Sequence, residues 1–453
     1  VVRVKVLDLP HQKAGAEFLA AKEVAGLFDP PGSGKSAQVI MALDKLGLTR
    51  GIIVGPAISR QTWAREIRQW TTVPRKVQIA LSLHDLKLWI TGKKDVLLCS
   101  YEFVTRHIKI FKKLDDIFDF CVIDESHYIK NPTANRTAAL LGPNCDGQYG
   151  LTQWAQYVWF LTGTPMANDP TDAWTFLRRA GATDLTSAQF KSRWFDGSPT
   201  THGARYSIKP GAEVYLKEML DSVSIARPKS EWWKDAPPIF MLEMRMHGQD
   251  SSVRKLISEH PDLDEAIRQA ARDGTLEQLS QEIEYIARLR RLIGEAKAPP
   301  FAEELVTRLQ GGLDKAVVMC WHTVAGQIVA DTLKKHGIES VMIRGDVNPT
   351  VRKANIERFQ NDPKCRVVIG NIRAAGTNIT LTAASDIFML EQSWSPADNM
   401  QALMRVHRIG QTRSVNATFV SLADTIDDVV VATLAEKTAN ITAIDANAFK
   451  LSA

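Results

Sequence analysis

The stretch Asp29-Pro30-Pro31-Gly32-Ser33-Gly34-Lys35-Ser36 constrains the fold of this chain more than any other. It follows a short apolar run, Val24 to Phe28, and precedes Ala37 to Leu43, which reads as a helix. Strand, glycine loop and helix in that order form a phosphate cradle. The glycines let backbone N–H groups close around oxygens, and the helix N-terminus adds its positive dipole end. Gly32, Ser33 and Gly34 would supply the loop, Lys35 would reach the outer phosphates, and Ser36 would offer its hydroxyl to Mg²⁺. The general pattern has glycine where this chain has Asp29. Taken alone, the stretch could also be a glycine turn before a helix whose lysine faces solvent.

Other polar residues fall where neighbouring strands should end. Phe118 to Ile123 reads as a strand delivering Asp124-Glu125-Ser126-His127 to its tip. An aspartate there can hold Mg²⁺, and the adjacent glutamate can orient and deprotonate a water. Tyr157 to Leu161 runs into Thr162-Gly163-Thr164-Pro165, whose hydroxyls could bond to the acidic tip and sense a γ-phosphate. Ile52 to Val54 is a buried strand ending at Gly55-Pro56, with Ser59 as the expected cap of a helix from Arg60 to Trp70. On that helix Trp63, Ile67 and Trp70 read as packing, while Arg60, Arg65 and Arg68 either touch phosphates or form a solvated face. Val96 to Cys99 is a further strand, with Ser100-Tyr101 at its end. Upstream, the Gln12 amide in Leu9-Pro10-His11-Gln12 can donate and accept at once, which suits an adenine edge; it could equally be a helix-start residue.

This alternation gives a parallel sheet with its ligand at the strand C-termini. From about Pro170 to Pro300 helical periodicity takes over, as in Leu276, Leu279, Ile283, Ile286, Leu289 and Leu292. Arg288, Arg290 and Arg291 flank that stripe as a solvated or a DNA-facing surface. Arg227-Pro228-Lys229 and Trp232-Trp233-Lys234 combine basic and aromatic residues, a DNA contact or, for the tryptophans, packing. Pro237-Pro238 and Ala298-Pro299-Pro300 read as rigid breaks between elements. From Ala316 the alternation resumes, with strands at Ala316 to Trp321, Ser340 to Arg344, Arg366 to Gly370, Asp386 to Glu391 and Val415 to Leu422. Gln401, Arg405 and Arg408 stand at i, i+4 and i+7, one face of a helix, which could be a solvated face. The second half has no phosphate loop, so these arginines are its natural offering to a nucleotide held by the first.

With 453 residues the chain is too long for one core. The boundary is expected near Pro237, giving an N-terminal lobe over 1–236 with a helical insertion from about 170, and a C-terminal lobe over 237–453 with one at about 245–300. Composition is that of a soluble globular protein, and no apolar run approaches the roughly 18 residues of a membrane span. Val1 to Pro10 has no apolar stretch before a cleavage site, so an intracellular protein is expected: cytoplasmic in a bacterium or an infected one, nuclear in a eukaryote. The five cysteines form no Cys-x-x-Cys pair and read as reduced thiols without a zinc site. A net charge of +5 permits a nucleic-acid partner without demanding one.

Taken together, Leu9-Pro10-His11-Gln12, Gly32-Ser33-Gly34-Lys35-Ser36, Asp124-Glu125-Ser126-His127, Leu161-Thr162-Gly163-Thr164-Pro165 and Gln401 through His407-Arg408-Ile409-Gly410-Gln411-Thr412 resemble helicase superfamily two. Within it they resemble the Swi/Snf-type DNA translocases, of which His-Arg-Ile-Gly-Gln is a signature. Asp29 matches that family's Asp-x-x-Gly-x-Gly-Lys form. Leu292 to Lys297 with Arg405-Val406-His407-Arg408 looks closest to the fork-remodelling, annealing-helicase branch. Pro30-Pro31 departs from the usual Glu-Met, Ala375 and Asn378 from glycines, and Met404 from aspartate.

The resemblance implies an α/β fold of two RecA-like parallel-sheet lobes with helical insertions, working as a monomeric, DNA-dependent ATPase on duplex or branched DNA, without a membrane. ATP and Mg²⁺ are the implied cofactors. Gln12, Gly32, Ser33, Gly34, Lys35, Ser36 and Gly376 would bind nucleotide; Ser36 and Asp124 would hold Mg²⁺; Lys35, Asp124, Glu125, Gln401, Arg405 and Arg408 would carry catalysis. His127, Thr162 and Thr164 would couple the site to movement, and Arg60, Ser100, Arg227, Lys229 and Thr380 would contact DNA. Two other readings remain open: a strand-separating DNA or RNA helicase, and a nucleotide-gated DNA clamp with weak turnover.

Overall fold

The structure, a computed structural model, describes residues 9–57, 59–113, 117–163, 166, 170–200, 203–248, 250–273, 276, 284–345, 347–372 and 379–445. They form two compact units, the main run of the first ending at Lys234 and that of the second beginning at Asp235. Thr164 and Gly376, with Pro165, Leu279, Ile283, Ala375 and Asn378, lie outside the described residues.

The first unit opens with α1 (Pro10–Ala20), β1 (Val24–Leu27), α2 (Lys35–Leu46), β2 (Gly51–Gly55) and α3 (Ser59–Trp70). After β3 (Val77–Ile79) and α4 (Leu83–Ile90) come β4 (Val96–Ser100), α5 (Tyr101–Phe111), β5 (Phe118–Asp124), α6 (Asn135–Leu141) and β6 (Ala155–Leu161). The expected insertion follows as α7 (Trp174–Arg179), α8 (Ser187–Trp194), a two-stranded ribbon of β7 (Phe195–Thr200) and β8 (Gly203–Ile208), and α9 (Ala212–Val223). It is thus not wholly helical. The chain then returns as β9 (Ser224–Ile225) and the short α10 (Lys229–Trp232). The sheet order is β3-β4-β2-β5-β6-β1-β9, and every pair is parallel. Covered on both faces, its central strands are continuous apolar runs, which is why they could be read. Ile52, Val54, Cys121, Ile123 and Phe160 face one core, and Ile53, Val122, Trp159 and Leu161 the other.

The second unit begins with β10 (Ile239–Met246), α11 (Ser251–Glu259), α12 (Pro261–Asp273) and α13 (Glu284–Gln310). Its remaining elements are β11 (Ala316–Cys320), α14 (Thr323–Lys335), β12 (Glu339–Ile343), α15 (Pro349–Asn361), β13 (Cys365–Asn371), β14 (Asp386–Met389), α16 (Pro396–Leu403), β15 (Val415–Leu422) and α17 (Ile426–Asp445). The sheet order is β10-β15-β14-β11-β13-β12, again parallel throughout.

Two expectations need correction here. Pro299 and Pro300 do not break an element; they lie inside α13. Proline removes helix donors, but Ala298, Phe301, Ala302 and Leu305 are buried on either side and hold the helix together. The carbonyl of Ala296, which Pro300 leaves without its helical partner, lies against Gly248, where a Cβ would come within 2.2 Å. Secondly, α16 stops at Leu403, so Gln401, Arg405 and Arg408 do not share a helical face. The amides of Arg405 and Val406 bond three residues back, and the Arg405 carbonyl is taken by the Leu381 N–H at 2.9 Å. Gly410 at φ +102° completes the turn.

Candidate active site

The parallel register sets the level of the site. Leu27 pairs with Leu161, and Asp124 pairs with Leu161, so β1, β5 and β6 end side by side. The next residues are the phosphate loop, Glu125 and Thr162. Gly34 sits at the start of α2 with φ +80°, a conformation that favours glycine. A Cβ there would also lie 2.4 Å from Gln12 Nε2. Gln12 and His11 stand in the first turn of α1, and Ser33 O accepts from both: His11 Nε2 at 2.9 Å and Gln12 Nε2 at 3.4 Å. Gln12 is thus a helix-start residue whose amide is aimed at the loop.

Lys35 Nζ donates to the carbonyl of Asp29 at 2.7 Å and to that of Pro30 at 3.4 Å. Its charge also reaches Asp124. Asp124 Oδ2 accepts from Trp63 Nε1 at 2.8 Å, and Oδ1 from the Glu125 amide at 3.1 Å. Burial first, then the neighbouring Glu125 charge, pushes the Asp124 carboxyl up to about 7; the Trp63 N–H and Lys35 pull it the other way.

Glu125 is held at φ +53°, in the left-handed region that a residue with a Cβ rarely adopts. The Tyr101 hydroxyl secures this turn by donating to the carbonyls of Asp124 at 2.7 Å and Glu125 at 3.3 Å. His127 Nδ1 hydrogen-bonds Thr162 Oγ1 at 3.1 Å, and Glu125 Oε2 lies 3.5 Å from the same nitrogen. The acidic tip and the hydroxyl at the end of β6 are thus joined.

Two buried polar atoms at the loop have no hydrogen-bond partner among the described residues: Gln12 Oε1 and Ser33 Oγ. An unpaired buried acceptor costs about 1–3 kcal/mol, and an exocyclic amine of a bound base would satisfy the first. The donor set therefore fits a nucleotide. The adjacent carboxylates of Asp124 and Glu125, one of them raised by burial and by the other's charge, fit a divalent cation.

The expected DNA contacts fare differently. Arg227 is engaged inside the first unit, with its side chain 11% exposed. Its guanidinium bonds the Asp29 carboxylate, the His11 carbonyl and Gln38, so its charge is neutralised and most of its donors are taken. Ser100 is buried and caps α5, its hydroxyl accepting from the Phe103 amide at 3.1 Å. Arg60 donates to the carbonyls of Ala57 and Ala80. Arg227 and Ser100 are thereby corrected to structural roles; Arg60 is half-buried, and its two backbone bonds use Nε and Nη1 alone. Lys229 lies over the Trp233 ring at 4.7 Å. Ser59 does not cap α3; its hydroxyl donates to the Pro56 carbonyl.

In the second unit Arg405 is buried, with Nε donating to Gln401 O at 3.1 Å. Arg408 is half-buried, and its Nη1 donates to Ile379 O at 3.0 Å, beside Thr380. The rest of the signature is a brace. His407 Nε2 contacts Pro237 O at 2.7 Å, and buried Gln411 bonds three carbonyls and two amides. Arg290 is sandwiched between Trp321 and Trp394, at 4.6 and 4.9 Å, instead of facing solvent. The sequence reading missed Trp63, Tyr101 and the partner of Asp29.

Residues 11–293 match the SNF2-related domain, and residues 300–410 match the helicase conserved C-terminal domain. The chain belongs to the SNF2-related family. Among curated SNF2-type relatives, it is 27% identical over 447 residues to the human DNA annealing helicase and endonuclease ZRANB3, covering 94% of this chain and 39% of that protein. It is 25% identical over 441 residues to the Xenopus tropicalis SWI/SNF-related matrix-associated actin-dependent regulator of chromatin subfamily A-like protein 1, covering 95% and 44%. The chain thus spans less than half the length of either relative. The solved Sulfolobus solfataricus SWI2/SNF2 ATPase core in complex with dsDNA aligns over 98% of this chain and 95% of that one, at 19% identity and a TM-score of 0.45. Among the described residues no helix is long and apolar enough to cross a membrane.

Proposed function

We propose that this chain is a DNA-dependent ATPase that moves on double-stranded or branched DNA, in repair, recombination or fork remodelling. The observation that carries the reading is the joining of Lys35, Asp124, Glu125, His127 and Thr162 around a loop whose Gln12 acceptor lacks a partner. Family membership supports it, as do the names of the two relatives, one a DNA annealing helicase and the other a regulator of chromatin.

In this reading Gln12 holds the adenine edge, and the Gly32–Gly34 amides with Lys35 hold the phosphates. Pro30 and Pro31 lack an N–H, so the amides come from the later part of the loop. Ser36 and Asp124 would hold Mg²⁺, whose charge would screen the phosphates. Glu125, fixed in its turn by Tyr101, orients the attacking water and takes its proton. Arg405 and Arg408 supply positive charge to the transferring phosphoryl group, worth about 10³–10⁵ in rate for an arginine finger. Release of Arg408 from Ile379 O would then be part of each cycle. DNA that binds one conformation better than another shifts the population toward it, which ties turnover to movement.

The test is ATP turnover measured with and without single-stranded, duplex, forked and junction DNA. Duplex- or branch-stimulated turnover, abolished by Lys35→Ala, Glu125→Gln or Arg408→Ala, is expected. Turnover indifferent to DNA would overturn the motor reading in favour of a nucleotide-gated clamp. Displacement of strands from blunt DNA or RNA duplexes would favour a strand-separating helicase.

A further inference from the structure

We propose that Arg227 is a positioning residue for nucleotide binding, a clamp that ties the phosphate loop to the segment leading out of the first unit. The inference rests on the nucleotide reading above. Its geometry follows from the sheet. β9 pairs in parallel with β1, Leu27 opposite Ile225, and the Phe28 amide donates to the Ile225 carbonyl at 2.8 Å. Two residues further along both strands, Asp29 and Arg227 come together.

Asp29 is fully buried. Its Oδ1 accepts from the Arg227 amide and Nε, both at 3.1 Å, and its Oδ2 accepts from Arg227 Nη2 and from Gln38 Nε2 at 3.2 Å. Arg227 Nη2 also donates to Gln38 Oε1 at 2.8 Å, and Nη1 to the His11 carbonyl. One guanidinium therefore ties together α1, the end of β1, α2 and β9. The same Asp29 receives Lys35 on its main-chain carbonyl. Gln38 Nε2 also reaches Ser33 O, the carbonyl that His11 and Gln12 hold. Asp29 thus has a reason to stand where a phosphate loop commonly has glycine.

A separate residue shows that the clamp requires space. Gly15 of α1 lies where a Cβ would come 1.8 Å from Gln38 Oε1 and 2.8 Å from Arg227 Nη2. Alanine at position 15 favours the helix by its own propensity. It must nonetheless displace the Gln38 amide and crowd the guanidinium. Gly15→Ala perturbs the clamp while removing no charge and no hydrogen-bonding side chain.

The experiment compares Arg227→Ala, Arg227→Lys and Gly15→Ala with the unmutated chain. The readouts are the rise in melting temperature on adding Mg²⁺ and ATP, the KM for ATP against kcat, and the salt dependence of duplex binding. In all three variants the KM should rise about tenfold, roughly 1.4 kcal/mol of binding, and the nucleotide-induced rise in melting temperature should shrink. The loss should fall on KM more than on kcat, as for an interaction that serves binding. Lysine should not rescue, since one ammonium cannot span a carboxylate, a carbonyl and an amide in a planar fork. If Arg227→Ala fails to fold, Gly15→Ala still decides.

Unchanged KM and melting shift in Gly15→Ala, with normal binding in the unmutated chain, overturn the clamp alone. So does an Arg227→Ala chain that keeps its KM while its DNA salt slope falls by about one phosphate contact. An unmutated chain that binds no nucleotide overturns the clamp and the nucleotide reading together.

Discussion

The indole N–H of Trp63 donates to Oδ2 of Asp124 at 2.8 Å, from the middle of α3 to the tip of β5. A tryptophan that periodicity assigns to packing is thereby also a partner of the acidic tip. Trp63→Phe keeps most of the buried ring and removes the donor. A hydrogen bond to a charged group contributes about 1.5–3 kcal/mol, so a lower melting temperature is expected. Without the N–H the Asp124 carboxyl binds its proton more tightly, and protons compete better with Mg²⁺. Titrating ATP turnover with Mg²⁺ at neutral pH should show a higher half-saturating concentration in Trp63→Phe. An unaltered Mg²⁺ curve would show that the contact only packs.

Asp124 also gives a sign to the pH dependence of stability. Its unfolded value is near 3.8, and the folded one is raised to about 7 by burial and by Glu125. Between those values the folded chain binds a proton that the unfolded chain has lost. Stability from this pair is fully present below the lower value and falls as the pH rises through the upper one. Urea unfolding of the ligand-free protein between pH 5 and pH 8 should show this decline. Asp124→Asn should flatten it, and Mg²⁺ with ATP should offset it by stabilising the ionised form. A stability that climbs across this range in the unmutated chain but not in Asp124→Asn would contradict the assignment.

What could be read in advance follows from how locally each feature is encoded. β11 was legible because a strand covered on both faces is an unbroken apolar run, here Ala316 to Cys320. β10 was missed because it alternates half-buried and exposed residues at a sheet edge, and β9 because two residues carry no pattern. The loop, the Asp124-Glu125 tip and the His127–Thr162 contact were legible because each strand ends in residues whose chemistry is unusual there. Arg227 was not, since its carboxylate partner is 198 positions away and a basic residue beside tryptophans looks alike whether it faces DNA or a buried aspartate. The end of α16 was also hidden. Gln401 through Arg408 has no local stop signal, and the Arg405 carbonyl, two residues past the helix end, is taken by Leu381, distant in sequence.

Thr162 is expected to transmit DNA binding to the nucleotide. Its hydroxyl bonds His127, whose ring nitrogen also faces Glu125. Thr162→Val keeps the shape and removes the bond. DNA-stimulated turnover should fall by at least about 5-fold, the lower end of typical coupling between sites, and further than turnover without DNA. Equal losses with and without DNA would place Thr162 in the chemistry itself.

Gln411 should prove to be a stability residue, although it belongs to the family signature. Its Nε2 donates to the carbonyls of Ala384 at 2.7 Å, Thr382 at 3.3 Å and Val406 at 3.4 Å. Its Oε1 accepts from the amides of Thr412 at 3.1 Å and Arg413 at 3.0 Å. One buried amide thus closes the turn that carries Arg405 and Arg408. Gln411→Ala leaves several backbone groups without partners and should cost about 2–4 kcal/mol by denaturant unfolding. Gln411→Glu is the sharper comparison. A carboxylate can still accept from the two amides, but it has no N–H for the three carbonyls and sets a buried negative charge against them. It should therefore destabilise at least as much as alanine at neutral pH, and recover in part in mild acid as the carboxyl gains a proton. Were Gln411→Glu as stable as the unmutated chain, the side chain would not be donating to those carbonyls, and the brace would have to lie elsewhere in the turn.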